Sequence, residues 1–285
     1  MQVLDGGLSN ELAAQGCDLS GDLWSARLLA EDPARIRAAH AAYLRAGARV
    51  LITASYQASF EGFARHGIPR TEAAELFGRS VALARQAAAG RRDVRVAASL
   101  GPYGAVQADG GEYRGRYGLS VAELERFHRP RVQALAAAGP DLLALETVPD
   151  VTEAEAMLRA VRGCGLPVWL SYTVAGGRTR AGQPLAEAFA LAAGEDQVAY
   201  VGVNCCDPGE VTEAVALAAE VSGKPVVAYP NAGQRWDARA RRFRGAPAFR
   251  PEAALAWRDA GARLIGGCCQ VGPRQIAALA AVLGA

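Results

Sequence analysis

Histidine is nearly absent from this chain: there are three in 285 residues, His40, His66 and His128. Two of them fall inside helical patterns and one in a loop, so a Ser/His/Asp or Cys/His mechanism has no usable base. Charge of one sign is lacking too, because 31 Lys+Arg against 29 Asp+Glu leave +2. That balance argues against a dedicated nucleic-acid binder, and no nucleic-acid partner is expected. No apolar run reaches the about 18 residues of a membrane span, so no membrane partner is expected either. The opening Met1-Gln2-Val3-Leu4-Asp5-Gly6-Gly7 has no basic stretch before an apolar one. No signal peptide is therefore expected, and the expected compartment is the cytoplasm. None of the glycine-rich segments fits the dinucleotide fingerprint or the phosphate loop with its Gly-Lys-Ser/Thr ending. Linkers rich in Pro, Gly and Ser, low-complexity tracts and long repeats are also missing. Aromatic residues make up only 7%, and those in or near predicted loops are Trp24, Tyr56, Tyr172 and Trp236. Such rings suit a wall against a cationic ligand, although each alone reads more simply as packing than as recognition.

What is present is cysteine, six in all: Cys17, Cys164, the pair Cys205–Cys206 and the pair Cys268–Cys269. In a reducing compartment these read as thiols or metal ligands rather than disulfides. Neighbouring cysteines have Cα atoms about 3.8 Å apart, below the about 4.4–6.8 Å of an ordinary bridge.

Short apolar runs alternate with helical patterns along the whole chain. The strands expected are Gln2–Leu4, Val50–Thr53, Val94–Ser99, Asp141–Leu145, Val168–Tyr172, Tyr200–Val203, Val226–Tyr229 and Leu264–Gly266. Between and after them lie helical stretches, several opening at Pro33, Pro184, Pro208, Pro251 and Pro273, where a first turn needs no amide. Gly47, Gly139 and Gly261 stand where left-handed caps are wanted. Eight strands alternating with helices imply parallel βαβ units in an α/β protein. An open doubly wound sheet is the alternative, and the economical reading is a single-domain (βα)8 TIM barrel over residues 1–285.

A barrel builds its site at the C-terminal ends of its strands. Four expected strands end there in Asp5, Glu146, Asn204-Cys205 and Cys268-Cys269. Cys205, Cys268 and Cys269 would give a zinc ion three soft ligands and leave a fourth position open, as in catalytic sites. The competing reading is that they are buried apolar cysteines. Cys206 is less favoured because Cys205 directly follows the strand. Asp5 and Glu146 suit an acid/base pair, a site for a substrate ammonium, or helix caps. The run Arg239–Arg244 reads as a solvated loop.

These residues also form longer motifs. They are Asp5-Gly6-Gly7-Leu8-Ser9-Asn10-Glu11-Leu12, Asp22-Leu23-Trp24-Ser25-Ala26, Thr53-Ala54-Ser55-Tyr56-Gln57-Ala58-Ser59, Ser99-Leu100-Gly101-Pro102-Tyr103-Gly104, Glu146-Thr147, Gly202-Val203-Asn204-Cys205, Tyr229-Pro230-Asn231 and Ile265-Gly266-Gly267-Cys268-Cys269. In this combination the chain resembles the homocysteine S-methyltransferases, zinc-dependent (βα)8 barrels, over essentially its whole length. The resemblance is closest to the branch using S-methylmethionine or S-adenosylmethionine. It implies Zn2+ on Cys205, Cys268 and Cys269, and homocysteine and a sulfonium methyl donor as the small-molecule partners. It further implies an acceptor site of Asp5, Gly6, Gly7, Glu146 and Asn204, with Trp24 and Tyr56 near it and amides around Gly6-Gly7 for the acceptor's carboxylate. Methionine would be the product. Another thiol or selenol acceptor such as selenocysteine, or a non-catalytic zinc or thiol-sensing barrel, are the alternatives. Gln270 and Gln234 depart from the family pattern beside the rim, and oligomeric state is left open.

Overall fold

In the computed structural model, eight parallel strands alternate with helices around one ring. The structure describes residues 1–21, 23–237 and 242–284, with the backbone alone at Trp24, 235–237 and 242–243. The strands are β1 (Gln2–Val3), β2 (Val50–Ile52), β3 (Arg95–Leu100), β4 (Leu142–Val148), β5 (Val168–Tyr172), β6 (Val198–Asn204), β7 (Val226–Tyr229) and β8 (Ala262–Ile265). Their hydrogen-bonded order is β1-β8-β7-β6-β5-β4-β3-β2. The ring closes through a parallel bridge between Leu4 and Val50, beside an Asp5 N–H to Val50 O bond of 3.0 Å. This closure excludes the open doubly wound sheet, and it places β7 alone between β6 and β8.

The principal helices are α1 (Pro33–Arg45), α2 (Arg70–Ala88), α3 (Val121–Ala137), α4 (Val151–Val161), α5 (Leu185–Ala193), α6 (Val211–Ser222), α7 (Ala253–Asp259) and α8 (Pro273–Leu283). Local signals explain most of these limits. Ser120 and Glu123 form a capping box ahead of α3, and the Asp150 side chain accepts from Thr152 N at the start of α4. Pro33 and Pro273 occupy first turns as expected. Pro184 instead caps α5 from outside, Pro251 precedes α7, and Pro208 opens a separate 3-10 turn before α6. Gly47, Gly139 and Gly261 all have positive φ.

The sequence reading passed over several short pieces: helices Leu8–Ala14, Leu28–Glu31, Phe60–Arg65 and Tyr103–Gln107, and a hairpin of Val174–Ala175 with Arg178–Thr179. They follow β1, β2, β3 and β5, so they all build the C-terminal rim. Segments of one or two turns carry too little periodicity to stand out from loops.

The core has two layers. Helices cover the outside of the sheet, and every residue of β4 is buried, as a parallel strand covered on both faces requires. Inside the ring, Leu4, Val50, Ala97, Leu142, Ala144, Trp169, Val227, Tyr229 and Leu264 pack together. At Gly202 a methyl group would lie 1.9 Å from Val227 O. Only glycine lets β6 approach β7 this closely, and that approach sets the distance between the β6 and β8 ends.

Candidate metal centre and acceptor site

Cys205 is the first residue after β6, and Cys268-Cys269 follow β8. Their Sγ atoms converge: Cys205 lies 3.2 Å from Cys268 and 3.6 Å from Cys269, and all three lie within 4.8 Å of one another. The loop after β7 ties the two ends together. Pro230 O accepts from Cys268 N at 2.8 Å, Asn231 Oδ1 accepts from Cys269 N at 3.1 Å, and Tyr229 O accepts from Cys205 N at 3.2 Å. Cys205 itself takes a left-handed φ of 52°. A non-glycine residue holds that conformation only where its surroundings impose it, commonly at functional sites.

The donor set fits a zinc ion. Thiolates about 2.3 Å from a tetrahedral zinc lie about 3.8 Å apart, close to the spacing present. Hydrogen bonding of its thiol to Cys205 and Cys269, then burial, pushes the Cys268 thiol well up. A bound dication removes that resistance by supplying the missing countercharge. No fourth His, Cys, Asp or Glu atom joins this cluster among the described residues. Cys206 is buried in the core and Cys17 and Cys164 are half-buried elsewhere, so none of these three belongs to it.

Two carboxylates face the same mouth. Asp5 follows the β1 end, 1% exposed; its Oδ2 accepts from Ile52 N at 2.8 Å, while its Oδ1 is buried without a partner. Burial raises its pKa well above the usual carboxylate range, against the Ile52 bond, and the nearby Glu146 adds to the rise. Glu146, in β4, is pushed up to about 7, chiefly by burial. Neither residue caps a helix, which removes the capping reading.

Proton counting gives the same answer for Glu146. Tyr229 donates to Glu146 Oε2 at 3.0 Å, and Ser171 donates to Asn204 Oδ1 at 2.9 Å. Those two bonds use both hydroxyl protons, yet Ser171 Oγ and Tyr229 Oη are also 2.8 Å apart. A proton on Glu146 resolves the shortage, because donation can then run from Glu146 to Tyr229 to Ser171 to Asn204. Ser99 Oγ donates to the other carboxylate oxygen. Without a cation beside it, burial favours the acid form of Glu146.

The remaining expected residues divide. The Tyr56 hydroxyl lies within electrostatic range of Cys205, Glu112 and Glu146, so its ring reaches the mouth. Gly7 is needed for close approach, since a methyl there would lie 2.6 Å from Cys268 O. It does not offer its amide to a substrate, because Gly7 N donates to Val271 O at 2.9 Å. Gly6 likewise passes tightly, 2.3 Å from Val271 O for an added methyl. Asn204 is a brace rather than a free contact. Its Oδ1 accepts from Thr147 N at 2.8 Å as well as from Ser171, and its Nδ2 donates to Thr147 Oγ1 at 2.7 Å. Tyr172 turns outward and donates to Ala188 O at 2.8 Å, so it is packing. The side chains of Trp24 and Trp236, Asp22 and residues 238–241 lie outside the described residues, while Arg242–Arg244, expected as loop, pairs as a strand with Arg235–Asp237. Gln270 N is held by Asn10 Oδ1 at 2.7 Å, and Gln234 Nε2 donates to Gly245 O at 3.3 Å. His40 and His128 are fully buried, in keeping with their dismissal as bases.

Sequence reasoning missed Glu112 and Tyr113, in the 3-10 turn Gly111–Tyr113 after β3. The Tyr113 hydroxyl stands 3.1 Å from Cys205 Sγ. The available signal was one acid and one aromatic residue inside the glycine-rich run Gly110-Gly111-Glu112-Tyr113-Arg114-Gly115.

Comparison with known proteins agrees with this geometry. The family model for homocysteine S-methyltransferase matches residues 2–283. Homocysteine S-methyltransferase of Escherichia coli strain K12 is 43% identical, covering 98% of this chain and 94% of the relative. Homocysteine S-methyltransferase YbgG of Bacillus subtilis strain 168 is 40% identical over 98% of this chain and 93% of its own length. The crystal structure of the E. coli homocysteine methyltransferase MmuM in its metallated form superposes with a TM-score of 0.88 at 42% identity, covering 99% and 96% of the two chains. On sequence, fold and site together, the chain belongs to the homocysteine S-methyltransferase family.

Proposed function

We propose that residues 1–285 form one homocysteine-binding barrel that transfers a methyl group from a sulfonium donor, S-methylmethionine or S-adenosylmethionine, to homocysteine, with zinc on Cys205, Cys268 and Cys269. The observation that carries this reading is the meeting of three thiols and two buried carboxylates at one strand-end rim. Bound zinc would supply the charge that keeps an acceptor thiol ionised at neutral pH. The chain's own groups do the rest. Asp5, with its unpartnered Oδ1, and Glu146 hold the acceptor's ammonium, and on that pairing Glu146 gives up its proton. Gly6 and Gly7 bring Asp5 against the Cys268 loop.

The acceptor sulfur then attacks the methyl carbon. A C–S bond forms, the C–S⁺ bond breaks, and its electron pair returns to the donor sulfur, so both products are neutral thioethers. A sulfonium is a good leaving group and needs no general acid, which agrees with the lack of an available histidine. Orientation of the two substrates is the protein's main contribution.

A cluster with no fourth His, Cys, Asp or Glu among the described residues supports catalysis over a closed, non-catalytic metal site. The test pairs metal analysis with product detection. About one zinc per chain is expected, lost on Cys205→Ala, Cys268→Ala or Cys269→Ala, with methionine formed from homocysteine and S-methylmethionine. Full zinc and activity in all three variants would refute the ligand set. No methylated thiol or selenol from any sulfonium would refute the enzyme reading.

A further inference from the structure

The proposed donor is a cation, and Asp5 and Glu146 are occupied by the acceptor. A third carboxylate, Glu112, is only 7% exposed, and its Oε2 is buried with no hydrogen-bond partner. Among the described residues, the cations near it are engaged elsewhere. Arg114 pairs with Asp109 at 2.9 Å. Arg180 stands 5.5 Å from the Tyr113 ring centre and points its Nε at Thr173 Oγ1. Glu112 lies within electrostatic range of Cys205, Cys269 and Tyr56. Its neighbour Tyr113 fixes the turn against the sulfur cluster through the 3.1 Å contact with Cys205. The backbone there is held, with Gly111 N donating to Asp109 Oδ1 at 2.9 Å and Gly111 O accepting from the Tyr117 hydroxyl at 3.3 Å. A buried carboxylate on a held backbone, with an empty acceptor atom, is built for an incoming positive charge. Burial pushes this carboxyl up to about 7, outweighing the pull of Arg114, whose guanidinium is paired with Asp109.

Resting on the sulfonium reading above, we propose that Glu112 is the donor-side specificity residue: its carboxylate receives the positive charge of the methyl donor beside the Tyr113 and Tyr56 rings. The charge exists only before transfer, because the donor leaves as a neutral thioether. Glu112 therefore holds the donor more strongly than the transition state or the product. It contributes donor affinity and product release rather than turnover.

The experiment combines steady-state kinetics with calorimetric titration of the metal-loaded protein by S-methylmethionine and by methionine. Glu112→Gln raises the KM for S-methylmethionine about tenfold or more, the loss expected for a charged hydrogen bond. Its kcat holds or rises, and the homocysteine KM and zinc content stay unchanged. In calorimetry the wild-type preference for S-methylmethionine over methionine shrinks by the same factor. Glu112→Asp, which keeps the charge, recovers part of the affinity, and Glu155→Gln, at an exposed acid paired with Arg159 on α4, leaves the donor KM unchanged. A donor KM in Glu112→Gln equal to wild type, a fall in kcat alone, or a rise confined to homocysteine overturns the inference while an active wild type preserves the reading beneath it. A wild type that takes a methyl group from no sulfonium overturns both.

Discussion

Glu146→Gln should make this protein more stable and a worse enzyme. Burial holds the Glu146 carboxyl near 7, against an ordinary 4.5, so the folded chain binds its proton more tightly than the unfolded chain. Stability from this group is fully present below about 4.5 and is lost as the pH rises through about 7. The difference corresponds to about 3 kcal/mol above pH 7, taken as a ceiling. A glutamine removes it. The amide nitrogen replaces the acid proton in donating to Tyr229, and the amide oxygen accepts from Ser99, so both existing contacts survive. Urea unfolding of the metal-loaded proteins is therefore expected to show near-equal stability at pH 5. At pH 8.5 the variant should gain up to about 3 kcal/mol. The same substitution removes a countercharge for the acceptor ammonium, and the homocysteine KM should rise about tenfold or more. A variant less stable than wild type at pH 8.5, or a difference that does not change with pH, would show that Glu146 is not held as the acid.

Two further outcomes bear on the supports beneath the site. Arg131 is fully buried and donates to the carbonyls of Tyr56, Ala58 and Gly101 and to His128 Nδ1. Because arginine only donates, His128 carries its proton on Nε2 and passes it toward Glu153, 2.9 Å away. The histidine is thus a neutral spacer, and burial lowers its pKa. Arg131→Met leaves His128 Nδ1 and three carbonyls without a donor and removes the buried positive charge near Glu153, and urea unfolding should register a loss of about 3–5 kcal/mol; a loss under about 1 kcal/mol would refute this account. Gly202→Ala places a methyl 1.9 Å from Val227 O. It should lower the melting temperature and reduce bound zinc together, since the β7 end holds the Cys268 loop; retention of both would refute the proposed spacing role.

The expected strands and helices lie close to the observed ones because their signals are local. Val168–Tyr172 and Val226–Tyr229 agree residue for residue, as short apolar runs set between turn residues and helices. Pro273–Leu283 agrees too, with its proline in the first turn. The strand-end rule placed Asp5, Glu146, Cys205, Cys268 and Cys269 on one rim without any knowledge of pairing. It failed for Asn204, which looks like a site residue from its position yet has its oxygen filled by Thr147 and Ser171. The resemblance likewise implied amides around Gly6-Gly7 for a substrate, but Val271 already holds the one on Gly7. Such commitments are made with residues distant in sequence, and no local pattern records them.

The sequence by itself determined the alternating βα architecture, the number of barrel strands and the cysteines available to a metal. These follow from periodicity, from turn residues and from the chemistry of each side chain. The tertiary structure alone decided which atoms remain unpaired. Closure of the ring and the tight β6–β7 approach at Gly202 bring three thiols together. Burial leaves Asp5 and Glu112 with empty acceptor atoms and raises the Glu146 carboxyl to about 7. A residue's identity gives its capacity to bond; only its neighbours in space determine how much of that capacity is left for a substrate.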